Sequence, residues 1–226
     1  MIYEPLILVA RKLAHLRSRV VFVGGMVRGL LITDPAAGPP RATKDVDLIV
    51  GIASRLEFHR LCDALRRLGF REDATKGAPI CRWVVSGIHV DVMPDDESIL
   101  GFRNRWYSSA LEHPLAIEIA GESLRIIDAP HFCATKLEAF GDRGGGDFYH
   151  HDIEDVISVV DGRAELADEI RRADPPVREY IRASLSALLA SPDFVEVLPG
   201  HLPGDDASQR RLPTLLHRLR ELTMAG

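Results

Sequence analysis

Lys44-Asp45-Val46-Asp47-Leu48-Ile49-Val50 is the stretch on which the fold turns. Its aliphatic and β-branched residues follow a loop dense in proline and glycine, so it reads as a strand over 44–50. Side chains alternate across a strand, which sends Asp45 and Asp47 to the same side. Two neighbouring anions repel, and a folded chain seldom keeps them together without a cation between them. A divalent metal holding a phosphate is the natural cation, so the stretch points to metal-assisted nucleotidyl transfer.

Upstream lies an apolar strand, 19–23, that runs into Gly24 and Gly25 and then a short helix over 25–32. A glycine pair between strand and helix lets backbone approach a triphosphate and offers amide donors at a helix start, although such pairs are also ordinary turns. Arg28, one turn into that helix, has two roles open to it: neutralising phosphate, or bracing the Asp-bearing strand. Downstream, Ser54 is an N-cap for a helix that Gly69 ends. Two β-rich runs, 80–86 and 88–93, meet at Gly87 as a tight hairpin, and Asp91 lies in the second. A two-metal site needs carboxylates converging from adjacent strands, which Asp45, Asp47 and Asp91 supply. The plain alternative is that these residues cap strand ends or pair with Arg82 and Arg41.

Two more short strands are expected at 116–120 and 123–127, with Gly121 and Glu122 as their turn. Beyond Pro130 the apolar spacing becomes helical, over 129–140, 147–160, 164–172 and 177–189, followed by a Pro/Gly-rich linker at 191–204 and a last basic helix. This is an α+β chain: a mixed sheet flanked by helices over 1–128, then a helical C-terminal lobe over 129–226. Lys136 lies in the first lobe helix and Asp152 in the second. If both face a cleft, Lys136 clamps a triphosphate while Asp152 positions Lys136, a base or the acceptor. Otherwise Lys136 is a solvent-facing lysine whose stem covers apolar surface, and Asp152 and Asp155 are solvated carboxylates in a first helical turn.

With 226 residues, near-average composition and a net charge of −5, the chain is globular and is not coated for nonspecific nucleic-acid binding. Cys62, Cys81 and Cys133 are an odd set without CxxC spacing, so neither a disulfide framework nor a zinc knuckle is indicated, and a cytoplasmic setting fits. Residues 1–19 read as an amphipathic helix with Pro5 in its first turn, and no run approaches the roughly 20 apolar residues of a membrane span. Neither His150/Glu154 nor His151/Asp155 has the form of a zincin pair, which argues against a transition-metal site. Trp106 and Tyr107, flanked by arginines, form a candidate base-binding segment, against the ordinary use of aromatic residues as core. Gly144-Gly145-Gly146 is a connector.

The ordered set Val23-Gly24-Gly25-Met26-Val27-Arg28-Gly29, Arg41-Ala42-Thr43-Lys44-Asp45-Val46-Asp47-Leu48 and Val90-Asp91-Val92 resembles the nucleotidyltransferase fold of the polymerase-β superfamily. Ala134-Thr135-Lys136-Leu137-Glu138-Ala139-Phe140 followed by His151-Asp152-Ile153-Glu154-Asp155 is similar to AbiEii-type nucleotidyltransferases, which include toxins that modify transfer RNA. The resemblance implies that Asp45, Asp47 and Asp91 hold two Mg²⁺ (or Mn²⁺) ions, that a nucleoside triphosphate (NTP) sits over Gly24 and Gly25 with Arg28 nearby, and that Lys136 contacts the triphosphate. An acceptor hydroxyl then attacks the α-phosphorus and pyrophosphate departs. Implied partners are transfer RNA or another RNA, and a cognate toxin or antitoxin. Two other activities fit the same residues: an antitoxin-type adenylyltransferase that modifies a partner protein, and a binding module of the same fold without turnover.

Overall fold

A computed structural model describes residues 3–38 and 43–224. The chain divides into two compact units, residues 1–27 with 41–128, and residues 28–40 with 129–226. The segment 28–40 thus groups with the helical unit, where Arg28 and Asp34 both find ion-pair partners. Arg41, set against the aspartates as an ion-pair partner, and Ala42, quoted with the motif, lie outside the described residues.

In the first unit, helix α1 (Glu4–Leu13) starts with Pro5 in its opening turn, as the sequence indicates. It ends earlier than expected: Ala14 takes a positive φ of 48°, and a 3-10 segment carries the chain to strand β1 (Val20–Val23), which is fully buried. Helix α2 (Gly24–Leu31) follows at once, its residues from Arg28 onward belonging to the second unit. Strand β2 (Val46–Val50) begins two residues later than its sequence suggests. Its antiparallel register with β1 runs only from Val20 opposite Val50 to Val23 opposite Asp47, so β1 offers nothing for Asp45 to pair with. Helix α3 (Arg55–Arg67) is capped by Ser54, whose Oγ accepts the Glu57 N–H at 3.2 Å.

Strand β3 (Arg71–Glu72) leads to the hairpin of β4 (Arg82–Val85) and β5 (Ile88–Pro94). Ser86 and Gly87 have φ values of 51° and 78°, the positive pair of a two-residue type I′ turn, which fixes the register. Val85 therefore opposes Ile88, and Arg82 opposes Asp91. Two short helices absent from the sequence reading, α4 (Glu97–Leu100) and α5 (Tyr107–Glu112), precede strands β6 (Leu115–Ile119) and β7 (Glu122–Ile126). The β6–β7 turn falls at Ala120 and Gly121, one residue before the expected pair, because both positions take positive φ and Glu122 pairs with Ile119.

The seven strands form one mixed sheet in the order β3-β4-β5-β2-β1-β7-β6. The β2–β5 and β1–β7 pairs are parallel and the others antiparallel. Alternation along β5 buries Val90, Val92 and Pro94, while His89, Asp91 and Met93 take the other face.

The second unit packs α6 (Ala129–Arg143), α7 (His151–Gly162), α8 (Leu166–Arg172), α9 (Pro175–Leu189) and α12 (Leu212–Met224) around Phe132, Ile153, Ile157, Ile181 and Leu219. The stretch expected to be a linker instead forms α10 (Pro192–Val197), and α11 (Asp206–Gln209) follows it. Phe194 explains the difference: its buried ring meets Phe148 edge-on at 5.4 Å, anchoring the turn to the core. Among the described residues, no helix is long and apolar enough to cross a membrane.

Candidate active site

A row of polar side chains crosses three strands of the first unit's sheet. Asp47 is opposite Val23 on one side and level with Asp91 on the other, and Asp91 is opposite Arg82. Register therefore puts Asp47, Asp91 and Arg82 on one face, in neighbouring positions. Asp45, just ahead of β2, joins the row through Arg82. The Arg82 guanidinium grips Asp91 with both Nε and Nη2 at 2.8 Å, and Nη2 lies 3.3 Å from Asp45 Oδ2. His89, two residues before Asp91 and so on the same face, brings Nδ1 to 3.4 Å from Asp45 Oδ1.

Gly24 closes the other end of the row. Its φ is +76°, and a Cβ built on it would lie 1.8 Å from Asp47 Oδ2. The Asp47 carboxylate thus rests against the bare Cα of the strand-to-helix turn, a position only glycine permits. The sequence reading allowed Gly24 as a plain turn residue or as a functional one. Its contact with Asp47 ties it to the carboxylate row.

The electrostatics of the row are lopsided. Asp91 and Asp45 hold the Arg82 guanidinium firmly protonated, Asp91 through its hydrogen bonds above all. Burial, and then the Asp91 charge, push the Cys81 thiol up to about 11, which leaves it protonated and unreactive. Asp91 and Asp45 share Arg82, and together with Asp47 they bring hard carboxylate oxygens to the row. That donor set suits Mg²⁺ or Mn²⁺. The cation now lying between Asp91 and Asp45 is a guanidinium, which shows that the two carboxylates converge closely enough to share positive charge.

The second unit holds its own charge network. Arg28 is buried and donates Nη1 to Asp155 Oδ1 at 2.6 Å, with Glu154 at 3.8 Å. The Lys136 ammonium sits 2.9 Å from Asp152 and 2.7 Å from Asp155. Arg143 forks onto both oxygens of Asp152 at 2.8 and 3.0 Å. Burial acts to raise the Asp152 pKa, but Arg143 and Lys136 overcome it and hold the carboxyl at about 2. Burial likewise acts to deprotonate Lys136, and Asp155 and Asp152 reverse that, raising its pKa. Asp152 and Asp155 hold the Lys136 ammonium between them. Asp152 and Asp155 are not solvated first-turn carboxylates: both are fully buried.

His150, His151 and Asp152 bring three donor atoms within 4.8 Å of one another. Both oxygens of Asp152 already accept from Lys136 and Arg143, so a further cation there would meet two fixed positive charges. Trp106 is buried and Tyr107 donates its hydroxyl to Met93 Sδ at 3.2 Å. The pair fills structure, as aromatic residues in such surroundings usually do.

No protein-family model and no curated protein matches this sequence. A solved structure does match the fold: the crystal structure of an antigenic nucleotidyltransferase-like protein from Paracoccidioides brasiliensis superposes with a TM-score of 0.55, over 86% of this chain and 91% of that one, at 19% identity. The chain has a nucleotidyltransferase-like fold.

Two residues of the row had little or no part in the sequence reading. Arg82 figured only as a partner that might neutralise the aspartates, and His89 not at all. The signal for both was the hairpin: a two-residue turn at Ser86 and Gly87 puts position 82 opposite 91, and alternation puts 89 on the Asp91 face.

Proposed function

We propose that this protein is a metal-dependent nucleotidyltransferase that moves a nucleotide monophosphate from an NTP to an acceptor hydroxyl, releasing pyrophosphate. The observation that carries this is the register-fixed row of Asp47 and Asp91, with Asp45 beside them, ending on the positive-φ turn at Gly24. Asp45, Asp47 and Asp91 would hold Mg²⁺ or Mn²⁺. Bound there, two such ions would neutralise charge on the attacking and leaving oxygens of an in-line displacement. Gly24 and Gly25 present bare backbone at a helix start, which suits close approach of phosphate. Asp91 stands one strand beyond Asp47 as counted from the Gly24 end, which suits the acceptor side. Within the helical unit, Asp152 and Asp155 hold the ammonium of Lys136, the residue to which the resemblance gives a phosphate role.

For the acceptor we propose RNA, with transfer RNA as the first candidate, on the AbiEii-type resemblance of 134–140 and 151–155. The test is direct. The purified protein is incubated with each α-³²P-labelled NTP, Mg²⁺ or Mn²⁺, and either bulk RNA or a protein extract. Label entering RNA is the expected result; label entering a protein would identify an adenylyltransferase of the antitoxin type. Asp47→Asn should abolish labelling while leaving the circular dichroism spectrum unchanged.

One observation favours a second reading, a binding module without turnover: Arg82 already neutralises Asp91 and Asp45. On that reading neither fraction is labelled with any nucleotide, and metal does not bind.

A further inference from the structure

Arg82 occupies the position a metal would need. Both oxygens of Asp91 accept from it at 2.8 Å, and the same Nη2 reaches Asp45 at 3.3 Å. Asp91 is only 13% exposed and Arg82 20%, so the pair is shielded from the screening that weakens surface ion pairs. The contact is also no accident of a mobile side chain: the Ser86–Gly87 turn fixes Arg82 directly opposite Asp91.

A divalent ion and a guanidinium cannot share these oxygens at full strength. An ion bound between Asp45, Asp47 and Asp91 requires at least one Asp91 oxygen, and the arginine fork uses both. Giving up a charge-assisted bidentate bond is costly in the absence of another anion. A polyphosphate supplies that anion, because its oxygens match the guanidinium fork as a carboxylate does.

Resting on the metal-dependent reading above, we infer that Arg82 is an internal counter-ion that keeps divalent metal off Asp91 and Asp45 until a nucleotide triphosphate draws it away, so that metal and nucleotide load together. Arg82 is a positioning residue in this scheme. Nucleotide-free protein binds metal weakly, and the carboxylates stay neutralised between turnovers.

The test is Mn²⁺ binding by electron paramagnetic resonance to nucleotide-free protein, alongside binding of a fluorescent, non-hydrolysable ATP analogue in Mn²⁺. Arg82→Gln should bind Mn²⁺ roughly tenfold or more tighter than wild type, the factor matching loss of one charge-assisted contact. The same variant should bind the analogue more weakly, because its phosphates lose the guanidinium. Opposite movements of the two affinities are the signature, since mere misfolding weakens both. Arg82→Lys keeps the charge without the fork, should fall between the two, and guards against an unstable glutamine variant. Adding Asp91→Asn to Arg82→Gln should remove the gain in Mn²⁺ affinity. If Arg82→Gln binds Mn²⁺ no tighter than wild type while Asp45→Asn abolishes wild-type binding, the counter-ion role is wrong and the metal site stands. If no variant binds Mn²⁺ with or without nucleotide, the metal-dependent reading falls as well.

Discussion

Replacing Gly24 by alanine loads two separate penalties onto one methyl group. The first is conformational: a φ of +76° costs an L-residue about 1–2 kcal/mol. The second is steric. The new Cβ would lie 1.8 Å from Asp47 Oδ2 and 2.9 Å from Asp47 Cβ. Rotating the carboxylate aside takes it off its rotamer for about 0.5–1.5 kcal/mol. Asp47 Cβ cannot rotate away, because β2 is held on both sides by β1 and β5. Gly24→Ala should therefore destabilise the sheet unit by about 2–3 kcal/mol and turn Asp47 out of the row, ending the nucleotide transfer proposed above.

A double-mutant cycle separates the two penalties. In an Asp47→Gly background the collision is gone and only the φ penalty remains, so the coupling energy should be about 1 kcal/mol. The two tryptophans, Trp83 and Trp106, both lie in the sheet unit and are buried. Urea unfolding followed by their fluorescence thus reports the unit that holds the mutation. Equal losses from Gly24→Ala in both backgrounds would refute the claim that Asp47 rests against Gly24.

Three further outcomes follow from the same contacts. Asp152, held at about 2 against roughly 3.9 in an unfolded chain, should contribute about 2 kcal/mol that is fully present above pH 4 and lost as pH falls through 2; acid titration by circular dichroism should show Asp152→Asn losing less stability than wild type in that window. Lys136→Met removes the ammonium that Asp152 and Asp155 share and leaves Asp152 to Arg143 and Asp155 to Arg28, so calorimetry should find the helical unit destabilised by about 1.5–3 kcal/mol, the range for lost charge-assisted hydrogen bonds. Ser54→Ala removes the cap on the Glu57 N–H and should cost about 1 kcal/mol, seen as a lower urea midpoint in the tryptophan signal.

Sequence periodicity identified the elements that matter most for the site. The apolar runs at 20–23 and 46–50 and the hairpin around Gly87 are strong local signals, and each forms the strand expected of it. Ser54 announces α3 by its chemistry alone. The failures have physical causes as well. The extent of β2 depends on how far its neighbours run, which no local pattern records. Helix α10 exists because Phe194 reaches Phe148, a contact 46 positions away in sequence and invisible to composition. The turn between β6 and β7 was misread by one residue because Ala120 takes a conformation for which alanine gives no cue.

The site divides in the same way. Strand alternation predicts that Asp45 and Asp47 share a side, yet Asp45 lies just ahead of β2 and joins the row through Arg82; that Asp91 is level with Asp47 required the parallel pairing of β2 and β5. The fate of Arg28 was not readable at all. Two roles were open to it, and the structure gives its guanidinium to Asp155, more than a hundred residues downstream. Buried ion pairs of this kind join segments whose proximity only the folded chain determines.

The two-residue turn at Ser86–Gly87 sets the reading frame of the sheet's polar face. Inserting a single codon there would send Arg82 and Asp91 to opposite faces, since the strand's side-chain period is two. Inserting two would restore the facing but slide the guanidinium one step along β5, toward a different partner. Length changes at this hairpin are therefore changes to the charge of the site itself, although the turn touches none of its atoms. In any lineage of such chains, this connection should tolerate exchange of residue type far more readily than a change in residue count.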